Sequence, residues 1–275
     1  MMLVPLFLFF AAPPAETADS IMARVAENQD RAQSMRSAYI YHQNVLVRAN
    51  YTNGKLAHEE TVDYTVMPSD HGIKKERTAF LGKYREHGKV VEYHEPGQHS
   101  DHIHVQIDGD LCDSLSEDFA NNKETKDGIE KDLFPLTAAE QKHYSFRLDG
   151  TEEYRGIQVY RVLFEPKKDD DGNEDPWEGE ALIDRKEFQP VLVTTHLSFK
   201  MPMAVRVVLG TNIEHVGFKV TYKKFDENIW FPVTYGGEFK VRALFFWARR
   251  VGISMQNSDF HRADVTSKVD FAPVQ

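Results

Sequence analysis

Three groups of side chains in this sequence carry the residue types that chemistry needs. The first is the histidine run His94, His99, His102 and His104. In an extended segment His102 and His104 would point to one side with His99 reaching in from the preceding loop, and imidazoles so spaced bind zinc or copper. That ligand set is complete only with an assumed carboxylate, so the run reads as exposed loop histidines. The second is the acidic stretch Asp169 to Asp175. Asp169, Asp171, Asn173, Asp175 and Glu180 fall at the ligand places of an EF-hand loop, but Glu174 stands where that loop needs glycine, and strands flank it where helices belong. It reads as a solvated hairpin tip. The third is a nucleophile, from Cys112 or a serine with a histidine, yet there is no Gly-x-Ser-x-Gly elbow, no glycine-rich phosphate loop and no His-Glu-x-x-His. No catalytic residue, metal or cofactor is therefore assigned, and the chain is expected not to be an enzyme.

Composition narrows the remaining functions. A chain of 275 residues with 41% hydrophobic and 12% aromatic content can bury one large core, and all-β domains of this length often stay single. The formal charge of -10 opposes partnership with nucleic acid and attraction to an anionic bilayer. Cys112 is the only cysteine, which excludes an intramolecular disulfide and multi-cysteine zinc sites.

The elements that must position any site begin after an apolar leader. Leu3 to Phe10 is too short to span a bilayer and is followed by Ala11, Ala12, Pro13, Pro14 and Ala15, the pattern of an export signal covering 1–15, although no basic residue precedes it and Pro5 interrupts it. A single domain is expected over 16–275. Its first element is an amphipathic helix to about Met35, with Ile21, Met22, Val25, Ala26 and Gln29 on one face and Asp19 as the cap. Strands are expected at Ala38 to Arg48 and Leu56 to Val66 around an Asn53-Gly54 turn, then at Ile73 to Leu81 and Val90 to Tyr93. A helical insertion near 108–144 crosses the sheet. Further strands are expected at Tyr144 to Leu148, Gln158 to Glu165, Gly179 to Asp184, Val191 to Phe199, His215 to Lys224, Ile229 to Tyr235 and Glu238 to Val251.

The last hundred residues show alternation most clearly. Val216, Phe218, Val220 and Tyr222 share one face, as do Phe239, Val241, Ala243 and Phe245, so these strands have one wet face and one that needs a cover. About ten antiparallel strands, a leading helix and a central helical insertion predict an α+β, mainly β fold: a strongly curved sheet with helices on its concave side.

This order of elements resembles the periplasmic carrier superfamily that includes LolA, LolB and mycobacterial lipid carriers such as LppX. The resemblance lies in Asp19 to Val25, in Gly156 to Val162 followed by Ala181-Leu182-Ile183-Asp184 and Gln189-Pro190-Val191, and in the terminal Asp259-Phe260 to Phe271. It implies an unclosed half-barrel with helices as a lid over a hydrophobic cavity that takes acyl chains. By alternation, the lining would come from Val62, Tyr64, Tyr160, Val162, Phe164, Phe218, Val220, Tyr222, Val241 and Phe245. The competing reading is that these side chains form an ordinary packed core. Met201-Pro202-Met203-Ala204 and Phe245-Phe246-Trp247 are candidates for the cavity rim.

The expected function is a periplasmic, soluble, non-lipid-anchored binding or carrier protein for a lipid or lipoprotein acyl chain. An envelope membrane or an acceptor protein would receive that ligand. The alternatives are a sensing or protein-interaction module of the same fold and a structural envelope protein without ligand.

Overall fold

A computed structural model describes residues 16–69, 72–121, 134–167, 177–197, 212–214, 217–226, 229–243 and 247–263. The leader, the acidic stretch Asp169 to Asp175, Met201 to Ala204 and Phe245-Phe246 lie outside the described residues.

Helix α1 (Ala18–Arg36) buries the expected stripe, Ile21, Met22, Val25, Ala26 and Gln29. Its cap is Thr17, not Asp19: the Ser20 amide donates to Thr17 Oγ1 at 3.2 Å and the Thr17 amide to Ser20 Oγ at 3.0 Å. This reciprocal pair satisfies two amides that a helix start leaves open, and Asp19 falls in the first turn, where its charge faces the positive end of the helix.

Strands β1 (Tyr39–Asn50), β2 (Leu56–Ser69), β3 (Gly72–Glu86) and β4 (Lys89–Tyr93) follow as a meander. In the β1–β2 connection Gly54 takes φ +83, and Asn53 Oδ1 accepts from the Lys55 amide. Helix α2 (Ile103–Asn121) begins five residues before the expected insertion. His104 therefore sits in its first turn, and the extended geometry that would align it with His102 does not form. A 3-10 turn at Glu140–His143 leads into β5 (Tyr144–Tyr154), β6 (Ile157–Pro166), β7 (Trp177–Asp184) and β8 (Pro190–Leu197).

The remaining strands are β9 (Asn212–Glu214), β10 (Gly217–Asp226), β11 (Ile229–Ala243) and β12 (Trp247–Arg262). Here the strand boundaries differ from expectation. Gly236-Gly237 does not divide Ile229 to Val251 into two strands: β11 runs through the glycines, and a separate sixteen-residue strand, β12, follows. The physical reason lies at Gly237, where a Cβ would meet the Gly217 carbonyl oxygen at 2.3 Å and the Phe218 ring at 2.7 Å. Glycine serves there as a seat for an aromatic ring and not as a turn.

All twelve strands form one antiparallel sheet, ordered β4-β3-β2-β1-β12-β11-β10-β8-β7-β6-β5, with β9 continuing beside β10 along β11. The ends β4 and β5 do not pair, so the curved sheet is an unclosed half-barrel with the helices on its concave side. Register turns the sequence alternation into rows that cross it. One row is Val62, Val45, Met255, Tyr235, Val220, Val193, Ala181 and Val162, each the direct partner of the next. The adjacent inner row is Glu60, Val47, Ile253, Gly237, Phe218, Thr195, Gly179 and Phe164.

Gly237→Ala adds one methyl where there is no room, and is expected to cost about 1–3 kcal/mol, read as a lower urea midpoint at unchanged slope.

Candidate functional site

The concave face is covered from two sides. α1 lies against β5 and β11, and α2 against β1, β2 and β3. Their attachments differ in kind. α1 is held by apolar packing and by amides: Asn28 Nδ2 donates to the carbonyls of Glu187 and Phe188 at 2.8 and 3.0 Å, Gln29 Nε2 to Gln189 Oε1 at 2.7 Å, and Gln141 Nε2 to the Met22 carbonyl at 2.8 Å.

α2 packs through Val105, Leu111, Cys112 and Leu115 and is held in addition by buried charge. Asp108, on its inner side, accepts from Arg249 Nε and Nη2 at 2.8 Å each and from Trp247 Nε1 at 3.0 Å. Both Asp108 and Arg249 are buried, so each charge depends on the other. About two turns further along, Ser116 Oγ reaches Glu60 Oε2 at 3.4 Å. Glu60 lies at the bottom of a polar nest with His58, Tyr93 and His99: Tyr93 donates its hydroxyl proton to Glu60 Oε1 at 2.6 Å and in turn lies 2.6 Å from His58 Nε2. Gly109 lets the helix close over this nest, because a Cβ there would meet His99 Nε2 at 2.4 Å.

The electrostatics follow from burial and contact. Burial pushes the Glu60 carboxyl up, but side-chain hydrogen bonding with His58, Tyr93 and Asp113 and the nearby His58 charge outweigh it, leaving the group below its ordinary value. Burial, reinforced by the Glu60 carboxylate, holds the Tyr93 phenol protonated as a donor. Burial likewise raises the Cys112 thiol well above its usual value, as do Glu60, Asp108 and Asp113, so it is a poor nucleophile. His102 pairs with Glu86 on the surface, while His99 turns inward to the nest, so the histidine run is split between two places. Among the described residues no group of three or more His, Cys, Asp or Glu is arranged to hold a metal ion.

The predicted lining residues share the inner face. Tyr64, Tyr160, Val162, Phe164, Phe218, Val220, Tyr222 and Val241 all belong to or pack on one apolar cluster with α1, and Val62 pairs with Val45 of that cluster. Phe245 lies outside the described residues. Val62, Tyr160, Val162, Phe164, Val220 and Tyr222 are buried, whereas Tyr64, Phe218, Val241 and the neighbouring Phe239 keep part of their surface open. Around Phe218 the rings form a wall: Trp177 meets it edge-on and Tyr235 stacks on it, each at 5.5 Å between centroids.

Trp177 and Thr195 belong to this wall although alternation does not mark them, since Trp177 stands just past the acidic stretch and a lone threonine in a strand is common. His58 and Glu60 could have been found, because they share parity with Val62 and Tyr64 on β2 and so place polar side chains on an apolar face. A depression of about 530 Å³ is lined by His42, Asn44, Asp63, Arg155, Lys223 and Gln256, among other residues. Asn44, Asp63 and Gln256 form part of an outer row, and these polar walls do not suit hydrocarbon.

No protein-family model matches the chain, and no curated protein is significantly similar to it in sequence. Among solved structures it is similar to an outer membrane lipoprotein-sorting protein domain from Vibrio parahaemolyticus, at 9% identity and a TM-score of 0.40, covering 90% of this chain and 95% of that one. It is similar to a DUF1329 family protein from Desulfovibrio piger, at 11% identity and a TM-score of 0.39, over 92% and 96% of the two chains. A LolA superfamily protein from Nitrosomonas europaea is similar at 12% identity and a TM-score of 0.35, over 91% and 96%. These are likenesses of fold alone.

Two results are expected from α2's anchors. Asp108→Ala leaves Arg249 buried without its partner and should cost about 3–5 kcal/mol in urea unfolding, while Asp108→Ala with Arg249→Met should cost less than Asp108→Ala alone. Because the Glu60 carboxyl sits below its unfolded value, its contribution is complete above about pH 4.3 and is lost as pH falls through the folded value. Glu60→Gln should therefore flatten the loss of stability on acidification, measured as urea midpoints between about pH 6 and about pH 3.

Proposed function

We propose that this chain binds a hydrophobic ligand, a lipid or the acyl chain of a lipoprotein, against the concave face of the half-barrel, and carries it within the bacterial envelope. The observation that supports this reading is the partly covered apolar wall of Phe218, Phe239 and Val241, continuous with the buried inner rows of the sheet. A sheet face that only filled a core would end in side chains fully covered by its helices; here the apolar surface continues past that cover.

Hydrocarbon gains about 0.8 kcal/mol per buried methylene, so ten methylenes laid along this face supply roughly 8 kcal/mol, the scale of a micromolar dissociation constant. Loading and release then require a cover that opens. α2 suits that role, since its hold on the sheet includes a few discrete polar contacts, Asp108–Arg249 and Ser116–Glu60. A membrane or acceptor that favours the open arrangement takes the ligand by differential affinity for the two states. The apolar leader, read as an export signal, supports a periplasmic setting. With a formal charge of -10, contact with a membrane would rest on apolar surface and not on attraction to anionic lipid.

Native mass spectrometry of the full chain expressed for export in a bacterium, followed by organic extraction, should recover phospholipid or acylated species. The fluorescence of added diphenylhexatriene should rise on binding, and Val241→Asp should weaken that binding at least tenfold. An apo mass with no uptake of the probe would overturn the reading and leave a packed structural domain.

A further inference from the structure

The sequence contains three tryptophans, and two of them donate their indole proton to a carboxylate. Trp230 Nε1 reaches Glu187 Oε2 at 3.0 Å, and Trp247 Nε1 reaches Asp108 Oδ1 at 3.0 Å. Trp177 Nε1 has no hydrogen-bond partner among the described residues, although the side chain is only 6% exposed. Thr195, 1% exposed, has an unpartnered hydroxyl as well. Each such group forgoes hydrogen bonds that water would give it, so native structures normally satisfy them.

The two orphans are neighbours. Thr195 is the direct partner of Gly179 on β7 and of Phe218 on β10, and Trp177 lies two residues from Gly179 on the same face, which makes it the diagonal neighbour of Thr195. Phe164 faces Gly179 from the other side, and Phe218 and Tyr235 complete the surround. Gly179 and Gly237 contribute no side chain, so the box is aromatic except for one N–H and one O–H. Both are neutral donors on the concave face, beside the half-open wall.

We propose that Trp177 Nε1 and Thr195 Oγ1 form a polar subsite for the carbonyl oxygen of a neutral acyl ester, whose hydrocarbon chain runs along the inner rows of the sheet. This deepens the binding reading above and rests on it. A carbonyl oxygen has two lone pairs and so can accept from two donors. A carboxylate is the poorer fit, because an ionised group in this aromatic box would lack the charged partner that its desolvation requires. A plain hydrocarbon would leave both donors unpaired.

The test compares methyl laurate, lauric acid and dodecane as competitors for diphenylhexatriene bound to the full chain. Methyl laurate should compete about three- to tenfold better than dodecane, the range of one or two net hydrogen bonds, and better than ionised lauric acid at neutral pH. Trp177→Phe combined with Thr195→Val should bring methyl laurate down to the level of dodecane and leave dodecane unchanged. As a readout that does not depend on the variants folding, the Trp177 indole resonance in a nitrogen-15 spectrum of the wild-type chain should move downfield with methyl laurate and not with dodecane. Equal competition by ester and dodecane, or an indole signal that ignores the ester, overturns the subsite while the binding reading stands. Stronger competition by lauric acid overturns the choice of a neutral ester. No binding of diphenylhexatriene or of any competitor overturns the binding reading and the subsite together.

Discussion

A curved sheet that stops short of closing has an inner face that its own strands cannot cover, and the rest of this structure answers to that constraint. In a closed small barrel, side chains from opposite strands would meet across the middle. Here β4 and β5 stay apart, and the inner rows must be covered by helices brought from elsewhere in the chain. The covering is uneven: the rows are sealed at Val162, Val193 and Val220, and open at Phe218, Phe239 and Val241. The glycines follow from the same geometry. Gly82 lies beneath Tyr93, Gly179 beside Phe164 and Gly237 against Phe218, so a large ring can lie flat over the inner face of a strongly bent sheet.

Polar groups on that inner face are exceptions, and each kind has its own physical account. Asp108 with Arg249, and Glu60 with Tyr93 and His58, are buried but mutually satisfied, and both sets sit where α2 meets the sheet. Such contacts fix the register of a helix on a surface where apolar packing alone would tolerate sliding, which is the best-attested use of buried polarity. Trp177 and Thr195 lie on the same face, on β7 and β8, and their indole N–H and hydroxyl have no hydrogen-bond partner among the described residues.

Much of this was legible in the sequence because strand alternation survives register. Val62, Val162 and Val220, chosen strand by strand, fall on a single cross-sheet row, and all the described lining candidates face the same way. What failed were boundaries decided by tertiary contact. Gly236-Gly237 looks like a turn until the ring of Phe218 is seen to need the space, and β12, with Arg249 and Asn257 on its buried face, breaks the apolar alternation by which strands are recognised. Helix α2 was placed late because the histidines before it suggested a loop, whereas His99 is drawn inward by the nest around Glu60.

The two halves of the cover would answer differently to their surroundings. α1 is tethered by amides of Asn28, Gln29 and Gln141, which do not titrate and are little affected by salt. α2 is tethered through carboxylates, and one of them, Glu60, is held ionised by its neighbours. Acid therefore weakens α2's hold on β1, β2 and β3 as pH falls through the folded Glu60 value, and leaves the amide tethers of α1 unchanged. The aromatic box of Trp177 and Thr195 lies across β7, β8 and β10, away from the strands that α2 covers. A ligand whose polar end is gripped in that box would keep this hold while its hydrocarbon tail is exposed beneath α2. Under the carrier reading proposed above, release would then run tail first, because the apolar part could enter a membrane or acceptor before the last hydrogen bonds are given up.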